Sequence, residues 1–121
     1  MAERVFTNRH QIIEIIYDGD HDVGDSNRVV EQLIGEVAKL KSRGQPVKLL
    51  MDLTNLGKTD RRARQNVIKM ARTLDFQRVG VFGANTFNQI LAKFIILVSG
   101  KTARIKIFPS RNLALGWLNG K

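Results

Sequence analysis

Three stretches decide the fold: Ile12-Ile13-Glu14-Ile15-Ile16-Tyr17, the segment from Ser26 to Ser42, and Val47-Lys48-Leu49-Leu50-Met51-Asp52-Leu53. The first and third are short, apolar and rich in branched or long aliphatic side chains, so they read as strands. In the segment between them, Val29, Val30, Leu33, Ile34, Val37 and Leu40 recur at helical spacing. Ser26 or Asp25 offers a cap at its start and Gly44 a terminator. Asp18-Gly19-Asp20 reads as the break that ends the first strand. A strand, a helix of that length and a second strand form a crossover unit, which calls for parallel pairing.

The rest of the chain repeats the pattern. Arg4 to Thr7 reads as an edge strand, joined to the first run through Asn8 to His10. Thr59 or Asp60 caps a second helix to about Leu74, and Arg78 to Phe82 forms the next strand, ending at Gly83. Asn85 or Thr86 opens a third helix that ends near Ser99-Gly100. Ala103 to Phe108 is a further strand closed by Pro109, and Ser110 caps a last helix carrying Leu113, Ala114, Trp117 and Leu118. The expectation is an α/β architecture of four β-α units in one small domain, residues 1–121. Its sheet should be mostly parallel or mixed, with helices on its faces.

Composition narrows the function classes. The chain has 121 residues and no cysteine, which excludes disulfides, thiolate metal sites and a cysteine nucleophile. No apolar leader opens it, and the longest strongly apolar run, Phe94 to Val98, is far short of a membrane span. A cytoplasmic protein is expected. Net charge is +9 and unevenly placed: residues 1–60 carry 8 basic and 10 acidic side chains, residues 61–121 carry 12 and 1. Asp75 is the single acid in the second half. A field of one sign over half the chain favours anions or acidic partners.

Catalytic constellations are incomplete. Asp18 and Asp20 follow a strand as the acids of haloacid-dehalogenase-type phosphatases do, yet the further acids that would hold magnesium are missing beyond Asp52. As a calcium loop, the same segment has Gly24 at position 7 instead of 6 and Val29 where a bidentate glutamate belongs. Asp52 and Lys106 invite comparison with a receiver domain, but the first strand lacks the acidic pair and Lys106 falls mid-strand. His10 and His21 lie apart in chain position and charge context, no serine has an evident base, and no phosphate-cradling glycine motif occurs. The expectation is a protein without catalytic residues, metal or cofactor, with a small hydrolase as the last alternative.

From about Gln45 onward the chain resembles the STAS-like domains related to the anti-sigma factor antagonist SpoIIAA. The residues that carry the resemblance are Val47-Lys48-Leu49-Leu50-Met51-Asp52-Leu53-Thr54, Arg78-Val79-Gly80-Val81-Phe82-Gly83, Lys106-Ile107-Phe108-Pro109 and the closing Leu113-Ala114-Leu115-Gly116-Trp117-Leu118. It implies a mixed sheet with helices around four β-α units and a regulatory protein that binds proteins. In the antagonists an Asp-Ser-Ser-Gly turn bears the phosphorylated serine. Here Asp52-Leu53-Thr54-Asn55-Leu56-Gly57-Lys58-Thr59-Asp60 replaces it, so the resemblance leaves only Thr59 as a phosphoacceptor near the helix start.

Two surfaces have functional promise. On the second helix, Arg61, Arg62, Lys69 and Arg72 cover the arc opposite Ala63, Val67, Met70, Ala71 and Leu74. That basic face suits an acidic protein; nucleic acid or an anionic membrane fits less well, because aromatic side chains are not interleaved with the charge. On the third helix, Phe87, Ile90, Leu91, Phe94, Ile95, Leu97 and Val98 span a wider arc than one buried face needs, and Ile96 falls on the polar side. Leu91, Ile95 and Ile96 are therefore candidates for a homodimer contact or for a small apolar ligand, as in the lipid-binding CRAL-TRIO domains of related fold. The sequence thus reads as a non-catalytic interaction or regulatory module, with a carrier or sensor of an apolar ligand as the alternative.

Overall fold

The computed structural model describes residues 3–120. Five strands form one sheet in chain order: β1 (Arg4–Thr7), β2 (Ile13–His21), β3 (Lys48–Thr59), β4 (Arg78–Phe82) and β5 (Ile105–Phe108). Strand β1 runs antiparallel to β2, and the other pairings are parallel, so the sheet is mixed. Four helices connect or follow the strands: α1 (Val23–Ser42), α2 (Arg61–Thr73), α3 (Thr86–Ser99) and α4 (Arg111–Leu118). Each parallel step moves one place across the sheet, so the crossovers α1, α2 and α3 share one face, as right-handed connections require. Helix α4 takes the other face. Among the described residues no helix is long and apolar enough to cross a membrane.

Alternation along the strands divides the core. Ile13, Ile15, Tyr17, Leu49, Met51, Leu53, Val79 and Val81 point toward the crossover helices and meet Val29, Leu33, Val37 and Leu40 of α1 and Met70 of α2. Ile12, Leu50 and Phe82 point the other way, onto Ala114 and Leu118 of α4. Val79 and Val81 pair with Leu49 and Met51 on β3, and with Ile105 and Ile107 on β5.

Several boundaries differ from the sequence reading. Strand β2 does not stop at Asp18-Gly19-Asp20: it runs on to His21, pairing Asp18 with Asn55, Gly19 with Leu56 and His21 with Thr59 across two irregularities. Strand β3 correspondingly extends past Leu53 to Thr59. Backbone pairing carries these polar residues. The approach is close: a Cβ on Gly57 would stand 2.3 Å from Asp20 Oδ1 and 3.2 Å from the Asp20 nitrogen, so a larger residue would have to displace the Asp20 side chain. Helix α1 starts at Val23 and not at Ser26, because Asp22 and Asp25 form a reciprocal capping box. Strand β5 begins at Ile105 because Thr102–Arg104 form a turn.

Candidate functional site

Helix α2 orients itself by its small and apolar residues. Ala63, Met70 and Ala71 are buried, which leaves Arg61, Arg62, Lys69 and Arg72 on the exposed side. Asp60 is the cap: its Oδ1 accepts from Ala63 N at 2.7 Å and its Oδ2 from Val23 N at 3.1 Å. Thr59 is therefore the last strand residue and not a cap. Its hydroxyl and carbonyl both accept from Arg64 Nη1, at 3.1 and 2.6 Å. Arg72 reaches α3, donating to the Val98 carbonyl at 2.7 Å, so the basic arc borders α3 directly.

Helix α3 is turned in an unexpected way. Its buried residues are Asn88 and Ser99, both polar. Phe87, Ile90, Phe94 and Leu97 face outward, exposed by 58 to 68%. Asn88 Nδ2 donates to the Leu56 carbonyl of β3 at 3.4 Å, whereas Ser99 Oγ bonds within its own helix end, donating to the Ile96 carbonyl at 2.7 Å and accepting from Lys101 N at 3.2 Å. Between these two, the inward side presents Leu91, Ala92, Ile95 and Ile96, all only half-buried, so α3 seats less closely on the sheet than α1 does.

A cleft of about 110 Å³ remains between α2, α3 and the sheet, with Met51, Leu53, Val67, Phe76, Ile95 and Ile96 among its walls. Leu91 lines it too. The structure thus brings Leu91, Ile95 and Ile96 together on the cleft side of α3, half-buried. A homodimer contact through α3 would instead use Phe87, Ile90, Phe94 and Leu97.

His21 closes one end of the cleft. It is 3% exposed, stands edge-on to Tyr17 with ring centroids 5.0 Å apart, and neither ring nitrogen has a hydrogen-bond partner among the described residues. Glu3 Oε2 lies 3.2 Å from His21 Nδ1, without the alignment of a hydrogen bond. Burial, reinforced by the charge of Glu3, pushes the neighbouring Tyr17 hydroxyl far above its ordinary range. Glu3, His21 and Asp25 could each offer one ligand atom within 4.8 Å of the others. Asp25 is already committed, however: Oδ2 accepts from Asp22 N at 3.0 Å and Oδ1 pairs with Arg28. A metal would have to dismantle the α1 cap.

The other acids are dispersed. Asp20 Oδ1 accepts from Lys58 N at 2.8 Å, Asp22 caps α1, and Asp52 Oδ1 accepts from Thr54 N and Oγ1 at 2.9 and 2.6 Å. They hold backbone rather than converge. Lys106 lies mid-strand over the Trp117 ring at 5.2 Å.

Beside α4, Glu14 is buried and accepts from Arg111 Nη1 and Nη2 at 2.7 and 3.0 Å and from Asn8 Nδ2 at 2.8 Å. Burial works against its charge, but Arg111, Asn8 and the more distant Arg4 outweigh it and hold the carboxyl below the usual range. A depressed carboxyl contributes stability that is complete above its ordinary value of 4.5 and is lost as pH falls through the native value. Urea midpoints should therefore fall on acidification below about pH 4.5, and Arg111→Gln should flatten that part of the profile.

Glu14 escaped the search for catalytic groups, and His21 was weighed there only in relation to His10 and the serines. Glu14 sits inside an apolar run, and His21 becomes informative only when β1 brings Glu3 beside it.

Comparison with solved structures places this arrangement among SpoIIAA-like folds. An uncharacterised protein of the DUF3478 family from Shewanella loihica PV-4, with a SpoIIAA-like fold, superposes with a TM-score of 0.70 at 18% identity, covering 97% of this chain and 92% of that one. The anti-sigma factor antagonist SpoIIAA in its unphosphorylated form superposes with a TM-score of 0.65 at 14% identity, covering 99% and 100%. No curated protein matches the sequence. Residues 6–120 match a domain of unknown function, DUF7793, and the chain belongs to that family.

Proposed function

We propose that this protein is a non-catalytic regulatory module that docks an acidic protein partner across the outer face of α2 and α3. The observation that carries the reading is the row Phe87, Ile90, Phe94 and Leu97, each more than half exposed on one helix. Four large apolar side chains in a row are a costly thing to leave in water and mark an interaction surface. Their surroundings select the partner: α2 and α3 contain Arg61, Arg62, Arg64, Lys69, Arg72 and Lys93 and no acid. A second copy docked about a two-fold axis would set these cations against their own images, whereas an acidic partner would meet them with opposite charge. The SpoIIAA fold supports a role of this kind, since that protein is an antagonist of an anti-sigma factor.

A photo-crosslinking phenylalanine analogue in place of Phe94, used in cells, tests the proposal. The expected adduct is a protein of net negative charge. The purified pair should then lose binding about 30-fold on Phe94→Ser, the size of an aromatic hot spot. Changing Arg61, Arg62, Lys69 and Arg72 together to Gln should weaken the salt dependence while leaving the fold intact. An adduct only with a second copy, or with lipid, would overturn the reading.

A further inference from the structure

We infer that the element which docks on the outer face is an amphipathic α-helix, lying along α3 with apolar side chains at heptad spacing and acidic side chains on both flanks. The inference rests on the docking proposed above and names the shape and charge of what docks.

Spacing sets the shape. Phe87, Ile90, Phe94 and Leu97 follow one another at intervals of three, four and three residues, the alternation of an apolar coiled-coil seam. Helix α3 runs unbroken from Thr86 to Ser99 without glycine or proline, so nothing in it kinks the row. At a rise of about 1.5 Å per residue, the row is about 15 Å long. A second helix with the same spacing presents four apolar side chains over that length and seats them between those of α3. An extended strand presents one side chain per face about every 6.7 Å, so four of them span about 20 Å and fall out of step. A docked strand also draws its affinity from an open sheet edge, whereas the backbone groups of α3 are bonded within the helix.

Flanks set the charge. The side of the row toward α2 is marked by the Val98 carbonyl, which accepts from Arg72 Nη2 at 2.7 Å. Counted at about 100° per residue, Arg61 and Arg72 fall between the outward face of α2 and the side, Arg64 and Ala71, that walls the cleft. Helices α2 and α3 each return between parallel strands and so run in the same direction. Arg72 therefore stands toward the Leu97 end of the row, and Arg61, about three turns back, toward its Phe87 end. The opposite side of the row carries Thr86, Gln89 and Lys93, all exposed. Every charge on these two helices is positive. A helix with glutamate or aspartate beside its seam meets opposite charge on either side. One with lysine there meets like charge, and a second copy of α3 brings Lys93 into the same conflict.

The probe is a synthetic peptide of three heptads with leucine at both seam positions and glutamate on both flanks, whose own like charges keep it from self-pairing. Titrated into the full chain, it should bind one to one and gain helical circular dichroism. Two control peptides should each bind at least about tenfold weaker: one with lysine for glutamate, one of unchanged composition with leucine at every second residue. Phe87→Ser and Leu97→Ser, at opposite exposed ends of the row, should each weaken the acidic peptide about tenfold without lowering Tm, because a helix lying along the row touches both ends. The inference fails if the acidic peptide does not bind at millimolar concentration, if either control binds as tightly, or if one end of the row can be truncated without effect. Any of these results beside a Phe94 adduct with an acidic protein overturns the helix and keeps the docking reading. An adduct only with a second copy overturns both.

Discussion

Leu50→Ala should lower the free energy of unfolding by about 3–5 kcal/mol, the upper range for truncating a buried leucine. Leu50 has no exposed surface and lies near the start of β3, paired with Glu14 on β2 and with Gly80 on β4. The cost of such a change depends on how far the surroundings can collapse into the gap. Here Phe82 is fixed by a strand paired on both sides, Ile12 by hydrogen bonds with Asn8 just before β2, and Ala114 has no reach to offer. Leu118, from a helix of eight residues, is the neighbour on the least anchored element. Urea unfolding should show a lower midpoint at an unchanged slope. Leu113→Ala, on the same helix but 56% exposed, should stay within about 0.5 kcal/mol. A similar loss in both variants would mean that α4 is not seated as described.

Gly83→Ala is the second large effect. Gly83 has a φ of 84°, a conformation that costs a side-chain-bearing residue roughly 1–2 kcal/mol. Its added Cβ would also stand 2.3 Å from Thr54 Oγ1 and 2.8 Å from the Thr54 nitrogen. The second contact is with backbone, so changing a rotamer does not relieve it, and overpacking adds about 1–3 kcal/mol. The sum is about 3 kcal/mol or more. Gly44→Ala isolates the conformational part: φ there is 69° and nothing lies within 4 Å of the added carbon. Gly44→Ala should cost only about 1 kcal/mol. Equal midpoints for the two variants would refute the close approach of β4's end to β3.

The order of elements was legible because each signal was local. The aliphatic runs at Ile12–Tyr17 and Val47–Leu53, and the caps Asp60, Asn85 and Ser110, lie within the segments they define. Strand ends were harder to read. Asp18-Gly19-Asp20 has the composition of a turn, yet it pairs with Asn55–Thr59, some 37 residues away. Only tertiary pairing supplies that information. The orientation of α3 was hidden for a different reason. A helix apolar on nearly every side has no single stripe to aim inward, so a wheel projection does not tell Ile96 from Ile90. The buried residues of α3 are the unobtrusive ones, Asn88, which reaches the Leu56 carbonyl of β3, and Ser99 at the helix end. His21 likewise required the antiparallel β1–β2 pairing that brings Glu3 to its side.

The sheet's strand order has a consequence for how the chain is made. Because β1 to β5 stand in the order in which they are translated, each strand emerging from the ribosome finds its partner already in place at one growing edge. The crossover helices clothe one face as it grows. The opposite face has no such escort: Ile12, Leu50 and Phe82 wait for Ala114 and Leu118. Chains that already include β5 but still lack α4 therefore carry a finished hydrogen-bonded sheet with one bare apolar side, the state in which a holding chaperone would engage them.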